Sequence, residues 1–415
     1  MHGDRFALAL AAIVLGNALA GGAARSQTAI AGHGHAIAHS ADGSRSGESS
    51  DVLQPIPSVL DGLNDPYLAF RSALQNEANF QFSMPVSAFG QWGAPNGGPG
   101  VAELVYTPTA TWTPFANTPI GTGAVNFLFQ GNQFWTSATT SSQQQSIGLL
   151  TPQNDWLADG RHYQRLTYTQ TFPGDVVALS VGQYSFAQFD GNPYAGNPQS
   201  NFMNFALAQD ATQAYAAAGT GAYAQITPTK ELQVSGGFQD ATNLGSQYLT
   251  TWGLEKGKIA YFAYAQWTPS ILAGGSCGLL LYSEPSVGQA SSSRGVSLSA
   301  AQNLNATYGL FLRVNNASGS VAAIGTSVAF GGVMNNPFGR SSLDQAGVGV
   351  AWDRTNVSVV GYPSRASETV AEVYYRFTIQ RAIQVTPDVQ VYFNPALAPN
   401  TSVAAVFSLR TTFTF

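Results

Sequence analysis

Charged residues are scarce in this chain. Asp, Glu, Lys and Arg make up only 9% of its 415 residues, whereas about 25% is typical of globular domains. A soluble surface this poor in charge tends to associate, but a surface in contact with lipid has no such difficulty. The net charge of -5 and the lack of a basic patch argue against a nucleic-acid partner.

Cysteine and histidine are also rare. The single cysteine is Cys277, so no intramolecular disulfide can form. His33, His35 and His39 lie close together, but in a stretch rich in Gly, Ala and Ser that has no framework of carboxylates or thiolates. Chance composition explains these histidines better than metal binding, and we expect neither a metal site nor a cofactor.

Long apolar runs are missing after the N-terminus. The nearest candidate is ILAGGSCGLLLY at 271–282, which is shorter than the ~18–20 residues that a membrane-spanning helix needs. The sequence therefore excludes helical membrane spans.

The N-terminus carries a short apolar stretch of a different kind. Arg5 precedes FALALAAIVLGNALA, and the small residues at 18–20 offer a cleavage site. This pattern predicts a signal peptide over 1–20, with cleavage as late as residue 24 as the alternative, and hence export. Residues 21–64 have no apolar periodicity, which predicts a disordered lead-in.

One amphipathic helix is predicted over 65–77. Pro66 suits the first helical position, and Tyr67, Phe70 and Leu74 recur at spacings of three and four residues. We expect this apolar stripe to pack against the rest of the chain.

Residues 78–415 consist of alternating segments separated by clusters of Gly, Pro, Asn, Asp and Ser. Short connectors such as 227–230 occur beside long ones such as 187–217, which is typical of outer-membrane barrels. The strands of a soluble β-sandwich also alternate apolar and polar residues. The shortage of charged residues therefore decides between a soluble sandwich and a membrane barrel. Because lipid accepts only helices or closed barrels, we predict an all-β, transmembrane antiparallel β-barrel of about 16 strands (16–18).

The last segment, AVFSLRTTFTF, shows the alternation most clearly. Leu409, Phe413 and Phe415 fall on one face, and Arg410 falls on the other. We interpret the first three as lipid-facing residues of the strand that closes the barrel. The terminal Phe415 also resembles the signal that barrel assembly machinery reads, so that machinery and outer-membrane lipid are the predicted partners, and the Gram-negative outer membrane is the predicted location.

Four segments resemble a known family. YQRLTYTQTF, QAGVGVAWDR, ETVAEVYYRF and VTPDVQVYFNP look like the carbohydrate-selective porins, the OprB-like porins of Gram-negative outer membranes. The similarity is best over roughly 345–415 and extends more weakly back to about residue 65. It implies a pore of about sixteen strands that admits monosaccharides and small oligosaccharides by passive diffusion.

A sugar offers hydroxyl groups and apolar C–H faces, which polar side chains and aromatic or guanidinium planes can contact. Residues of these types on the inward positions of strands are therefore the candidates for lining the pore. They are Arg165, Arg313, Glu372, Tyr374, Arg376, Asp388, Gln390, Tyr392 and Arg410. For each residue taken alone, pairing with a neighbouring strand of the wall is the alternative.

The long segment 187–217 begins with turn residues and ends with a piece that can form a helix. It can fold into the barrel and narrow it, with Asp190 and Asp210 as acids of the constriction, or it can cap the barrel from outside. The sequence leaves both arrangements open.

Two other functions compete with a sugar porin. GGSCG at 274–278 matches the G-x-S-x-G pattern of hydrolases around Ser276, but no histidine follows it, and only His162 remains as a partner. We therefore expect no catalytic site. A general diffusion porin or a polysaccharide export barrel has the same composition as a sugar porin, and a homo-oligomer is possible in each case.

Overall fold

The computed structural model describes residues 61–95, 100–243, 249–270, 274–288, 291–319, 322–361, 364–380 and 382–415. The predicted signal peptide and the predicted lead-in up to residue 60 lie outside these ranges. The described residues form one antiparallel sheet of 18 strand segments.

The strand segments follow one another along the chain as β1 (Phe80–Ser83), β2 (Pro85–Ala94), β3 (Val101–Tyr106), β4 (Thr109–Thr118), β5 (Gly121–Phe134), β6 (Gly160–Thr171), β7 (Val177–Tyr184), β8 (Gly219–Thr229), β9 (Leu232–Asp240), β10 (Ile259–Trp267), β11 (Gly275–Glu284), β12 (Ser293–Asn303), β13 (Tyr308–Ser318), β14 (Ile324–Asn335), β15 (Gln345–Thr355), β16 (Ser367–Gln380), β17 (Ile383–Phe393) and β18 (Val403–Thr414).

Two barrel strands are each made of two segments. β1 and β2 are separated only at Met84, and β3 and β4 only at Thr107 and Pro108. β5 pairs with both β3 and β4, and Pro108 interrupts the ladder because it has no N–H group. Counting each pair of segments once, the sheet has 16 barrel strands, which confirms the predicted architecture.

The first and last strands close the barrel. β18 pairs with β2 in antiparallel register from Ala405 opposite Ala94 to Thr414 opposite Pro85. The backbone groups of both strands are therefore used within the sheet, as a bilayer requires. The interpretation of the C-terminal segment as the closing strand is confirmed.

Exposure alternates along the strands, so each strand has two chemically distinct faces. On β18, Phe407 and Leu409 are 49% and 45% exposed, whereas Ser408 and Arg410 are 5% and 0% exposed. The buried face contacts connectors that reach several strands at once, and it is therefore the inner face of the barrel. The apolar set faces outward, as the sequence predicts.

The two ends of the barrel differ in the lengths of their connectors. Tight turns join β4 to β5, β8 to β9 and β16 to β17, all at one end. The first of these turns requires glycine, because Gly121 has φ +99° and a Cβ atom there would overlap the Thr171 carbonyl oxygen. The long connectors 135–159, 185–218 and 241–258 leave from the other end.

The N-terminal helix, α1, spans Asp61–Ala78 and ends where Asn79 adopts φ +50°. It begins four residues before the predicted start, so Pro66 lies inside the helix instead of at its first position. Arg71 fixes the helix to the barrel by donating from Nη2 to the Phe82 carbonyl at 2.8 Å.

Short helices lie in the connectors. They are α2 (Thr140–Ile147), α3 (Phe205–Ala208), α4 (Trp252–Glu255) and α5 (Val357–Val360), with a 3-10 turn at Phe186–Phe189. Within the described ranges, each helix is too short or too polar to cross a bilayer.

Candidate functional site

Two of the long connectors fold back into the barrel. We call 135–159 the first inner segment and 185–218 the second inner segment. Leu149 and Trp156 of the first, and Phe202 and Leu207 of the second, have no accessible surface. Together the segments touch the inner faces of β2, β3, β11–β13 and β15–β18, so they occupy the lumen and do not cap it.

The first inner segment is fastened by carboxylates of the wall. Glu368 on β16 accepts hydrogen bonds from the backbone N–H groups of Leu150 at 2.8 Å and Thr151 at 2.9 Å. Asp353 on β15 accepts from the Thr151 hydroxyl at 2.7 Å. Carboxyl oxygens of the wall therefore satisfy two backbone N–H groups and one hydroxyl of this segment, which ties it to β15 and β16.

The second inner segment is fastened in the same way by the next acidic residue along β16. Glu372 accepts from the backbone N–H of Met203 at 2.6 Å and of Asn204 at 2.9 Å. The Asn204 side chain caps α3 by accepting from Ala206 N–H, and it donates to the Tyr392 hydroxyl at 2.9 Å. The segment is thus tied to β16 and β17.

Arginines of the wall bind the carbonyl groups of the same segment. Arg410 donates from Nη1 to the carbonyls of Pro198 and Asn201, and Arg376 donates to the Ser200 carbonyl at 2.9 Å. Arg313 donates to the Ala195 carbonyl at 3.2 Å. Acidic and basic side chains of the wall therefore both bind the main chain of the second inner segment.

The structure corrects the prediction for seven of the nine candidate pore-lining residues. These seven face the interior, but the inner segments cover them to 2% exposure or less, so they do not contact a solute. They are Arg313, Glu372, Tyr374, Asp388, Gln390, Tyr392 and Arg410. Arg165 and Arg376 are half-buried and keep accessible surface, and their role in the pore stays a prediction.

Asp190 and Asp210, the candidate acids of a constriction, do not face an open passage either. Both are buried, and Arg313 forms an ion pair with Asp190. The backbone N–H of Asp210 donates to Asp190 Oδ2 at 2.9 Å. Burial, and then the negative charge of Asp190, raise the pKa of Asp210 to about 7.

The inner face of β5–β10 is covered less completely than the opposite wall. It carries half-buried side chains that are polar or aromatic, with Arg165 as the charged member of the set. They are Asn126, Arg165, Thr169, Tyr223, Gln225, Gln233 and Gln266. Because they face inward and keep accessible surface, they border the space that the inner segments leave free.

A row of hydrogen-bonded polar side chains crosses four neighbouring strands, from β4 to β7. The Thr111 hydroxyl donates to Asn126 Oδ1 at 3.3 Å, and Asn126 Nδ2 donates to the Thr169 hydroxyl at 3.4 Å. The Thr169 and Ser180 hydroxyls lie 2.8 Å apart. These groups are neutral, so this row offers hydrogen bonds without adding charge to the wall.

Aromatic rings pack beside this row, at the base of the second inner segment. Phe189 stacks on Phe262 with ring centroids 4.4 Å apart, and Tyr184 meets Tyr223 edge-on at 4.8 Å. The rings fix the side chain of Tyr223 from two sides, because Phe189 also meets it at 5.3 Å.

Comparison with known proteins identifies the family. The OprB family of carbohydrate-selective porins matches residues 273–415. Porin AaxA of Chlamydia pneumoniae is 32% identical over 379 residues, which cover 87% of this chain and 86% of that porin. The chain belongs to the OprB porin family.

Other similarities agree with this family. Porin AaxA of Chlamydia muridarum is 30% identical over 402 residues, covering 90% of this OprB-family porin and 86% of the relative. The high-pH structure of Pseudomonas putida OprB superimposes with a TM-score of 0.71 at 14% identity, covering 84% of this chain and 97% of that one. At that identity the superposition shows the shared barrel fold alone.

The serine and histidine of the hydrolase alternative lie far apart in the porin. Ser276 is the second residue of β11, at the end of the barrel with tight turns, and His162 is the third residue of β6, at the end with long connectors. A nucleophile and its base must be within hydrogen-bonding distance. This separation prevents Ser276 and His162 from acting as a nucleophile and base pair, and the porin fold is consistent with a channel.

Sequence reasoning missed Glu368 and Tyr223. Glu368 occupies an inward position of the same strand as Glu372, so an acidic residue four positions earlier was the available signal. Tyr223 follows the strand pattern of GAYAQITP, but its neighbours Tyr184 and Phe189 come from another strand and from a connector, and no local pattern shows that contact.

Proposed function

We propose that this OprB-family porin lets small neutral sugars diffuse passively across the outer membrane into the periplasm. The observation that carries the proposal is the chemistry of the wall left accessible by the inner segments. Uncharged amides and hydroxyls dominate it, with Tyr223 and Arg165 among them. Such groups can exchange hydrogen bonds with sugar hydroxyls as water leaves, and weak contacts of this kind allow both entry and exit.

The family and the fold support the rest of the assignment. A porin barrel with an apolar outer face belongs in a Gram-negative outer membrane, and we propose export by the predicted signal peptide and insertion by barrel assembly machinery that reads the strand ending in Phe415. Passage is downhill and needs no reaction, so we propose a channel without enzymatic activity. A homo-oligomer is a further proposal, since the apolar outer face can pack on a second copy as well as on lipid.

The inner segments distinguish the competing channels. A polysaccharide export barrel needs a free conduit for a long chain, whereas in this barrel both segments are fastened inside the lumen. A general diffusion porin remains the second candidate, because the Chlamydia relatives of this chain carry the name porin without a named solute.

Liposome swelling tests the proposal. Purified porin is reconstituted into vesicles, and the initial swelling rate is measured in isotonic glucose, maltose and zwitterionic amino acids of matched size, with protein-free vesicles as the control. We expect glucose to enter faster than the amino acids. Equal rates for all solutes of one size would favour the general diffusion porin, and the absence of swelling would refute both.

A further inference from the structure

Arg165 differs from the other inward arginines in what it contacts. Arg313, Arg376 and Arg410 donate to main-chain carbonyls of the second inner segment. Within the described ranges of the chain, the Arg165 guanidinium makes no hydrogen bond to protein, although it keeps accessible surface in the lumen. A guanidinium has five N–H donors, and those of Arg165 remain available to a solute.

Tyr223 lies on the same inner wall as Arg165, two strands away. Tyr223 is opposite Ser180 of β7 in the sheet register, and Ser180 is opposite Thr169 of β6, the strand that carries Arg165. Tyr184 and Phe189 pack on its ring edge-on, with interplanar angles of 62° and 90°. Because two aromatic neighbours fix the ring, its orientation is set before any solute arrives.

Three glutamines continue this surface. Gln233 and Gln266 are direct register neighbours on β9 and β10, and Gln225 lies on β8. All three are half-buried, and in the described part of the chain their side-chain amides make no hydrogen bond. Each amide offers one acceptor and two donors, which suits vicinal hydroxyl groups.

We propose that Arg165 and Tyr223 form the solute-contact pair that determines the specificity of this porin, with the three glutamines extending the contact. The inference rests on the proposed function. The guanidinium donates to adjacent hydroxyls of a pyranose, and the tyrosine ring packs on the apolar C–H face of the sugar. A guanidinium without an acidic partner in a narrow lumen also attracts anions, so the same residue gives the pore an anion preference.

Planar-bilayer recordings on four proteins test this pair: wild type, Arg165→Ala, Arg165→Lys and Tyr223→Ala. Arg294→Ala is the matched control, because Arg294 is an exposed arginine on the outer face of β12. For each protein we measure the reversal potential in a KCl gradient and the concentration of glucose or maltose that halves the ionic current.

We expect Arg165→Ala to move the reversal potential toward cation preference and to weaken sugar block about tenfold, since a hydrogen bond to a charged group is lost. Arg165→Lys keeps the positive charge but loses the planar guanidinium. We therefore expect it to keep the wild-type reversal potential and still to weaken sugar block. Tyr223→Ala weakens sugar block and leaves the reversal potential unchanged. Arg294→Ala changes neither quantity.

Sugar block at wild-type strength in both Arg165 variants and in Tyr223→Ala would overturn the pair while leaving the proposed function intact. If sugars do not block the wild-type channel and do not enter wild-type vesicles, the proposed function itself fails. Heat-modified mobility on gels, measured for every variant, shows whether the barrel has folded.

Discussion

At the scale of single residues, Asp210 is a buried carboxyl whose charge changes near neutral pH. Burial and the adjacent Asp190 raise its pKa to about 7, from 3.8 in water. The folded protein thus keeps this proton up to about pH 7, whereas the unfolded chain releases it near pH 4. The stability that the proton contributes is present below pH 4 and is lost as the pH rises through 7.

Replacing Asp210 by Asn removes this dependence. Asparagine has nearly the same shape and is neutral at every pH, so we expect Asp210→Asn to unfold at a higher urea concentration than wild type at pH 8, and at nearly the same concentration at pH 4. Tryptophan fluorescence follows the unfolding. Asp175→Asn, in an exposed turn, serves as the control, and an equal gain at both pH values would contradict the explanation.

The same scale shows why the sequence alone misassigns most pore residues. Arg165 and Arg410 both occupy inward positions of alternating strands, and their local patterns are equivalent. Arg410 is buried because Pro198 and Asn201 lie on it, and Asn201 is 209 residues away along the chain. Strand periodicity predicts the face of a residue, but what packs on that face depends on a connector that has no periodicity.

At the scale of elements, the inner segments depend on a few wall residues. Glu372 accepts two backbone N–H groups of the second inner segment, and leaving a buried donor unpaired costs about 1–3 kcal/mol. We expect Glu372→Ala to release this segment, so that single-channel conductance rises and larger sugars enter vesicles. Conductance in KCl and swelling in trisaccharides measure the two effects.

A control for this prediction lies on the opposite face of the same strand. Thr369 faces outward on β16, because the buried inner face carries Glu368, Val370 and Glu372 in alternation with it. We therefore expect Thr369→Ala to keep wild-type conductance. A Glu372→Ala channel with wild-type conductance and size limit would show that the segment stays in place without its carboxylate.

At the scale of the whole molecule, barrel closure and the outward apolar face were predictable from the sequence. Alternation in the terminal segment identifies both faces of β18, and the connector lengths identify the two ends. The division of 16 barrel strands into 18 segments was not predictable in detail, because the break between β3 and β4 depends on how Pro108 meets β5. The inward fold of both long connectors also depends on contacts between distant parts of the chain.

The depth of a lipid-facing residue in the membrane determines how much stability is lost when a charged residue replaces it. Leu409 lies near the middle of β18, whereas Val403 begins the strand. We expect Leu409→Arg to destabilise the barrel by about 2–4 kcal/mol and Val403→Arg by about 0–1 kcal/mol. Urea titration of protein folded into lipid vesicles gives both values, and equal costs at the two positions would contradict a membrane centred on this strand.

The fastening of the inner segments has a consequence for how this porin can diversify. Glu368 and Glu372 accept hydrogen bonds from main-chain N–H groups, and Arg410 donates to main-chain carbonyls. These contacts place no demand on side-chain chemistry, but the buried side chains of Leu150 and Met203 are constrained by packing. New solute preferences are therefore expected to arise by substitution on the open wall of β5–β10, while the inner segments keep the width of the pore.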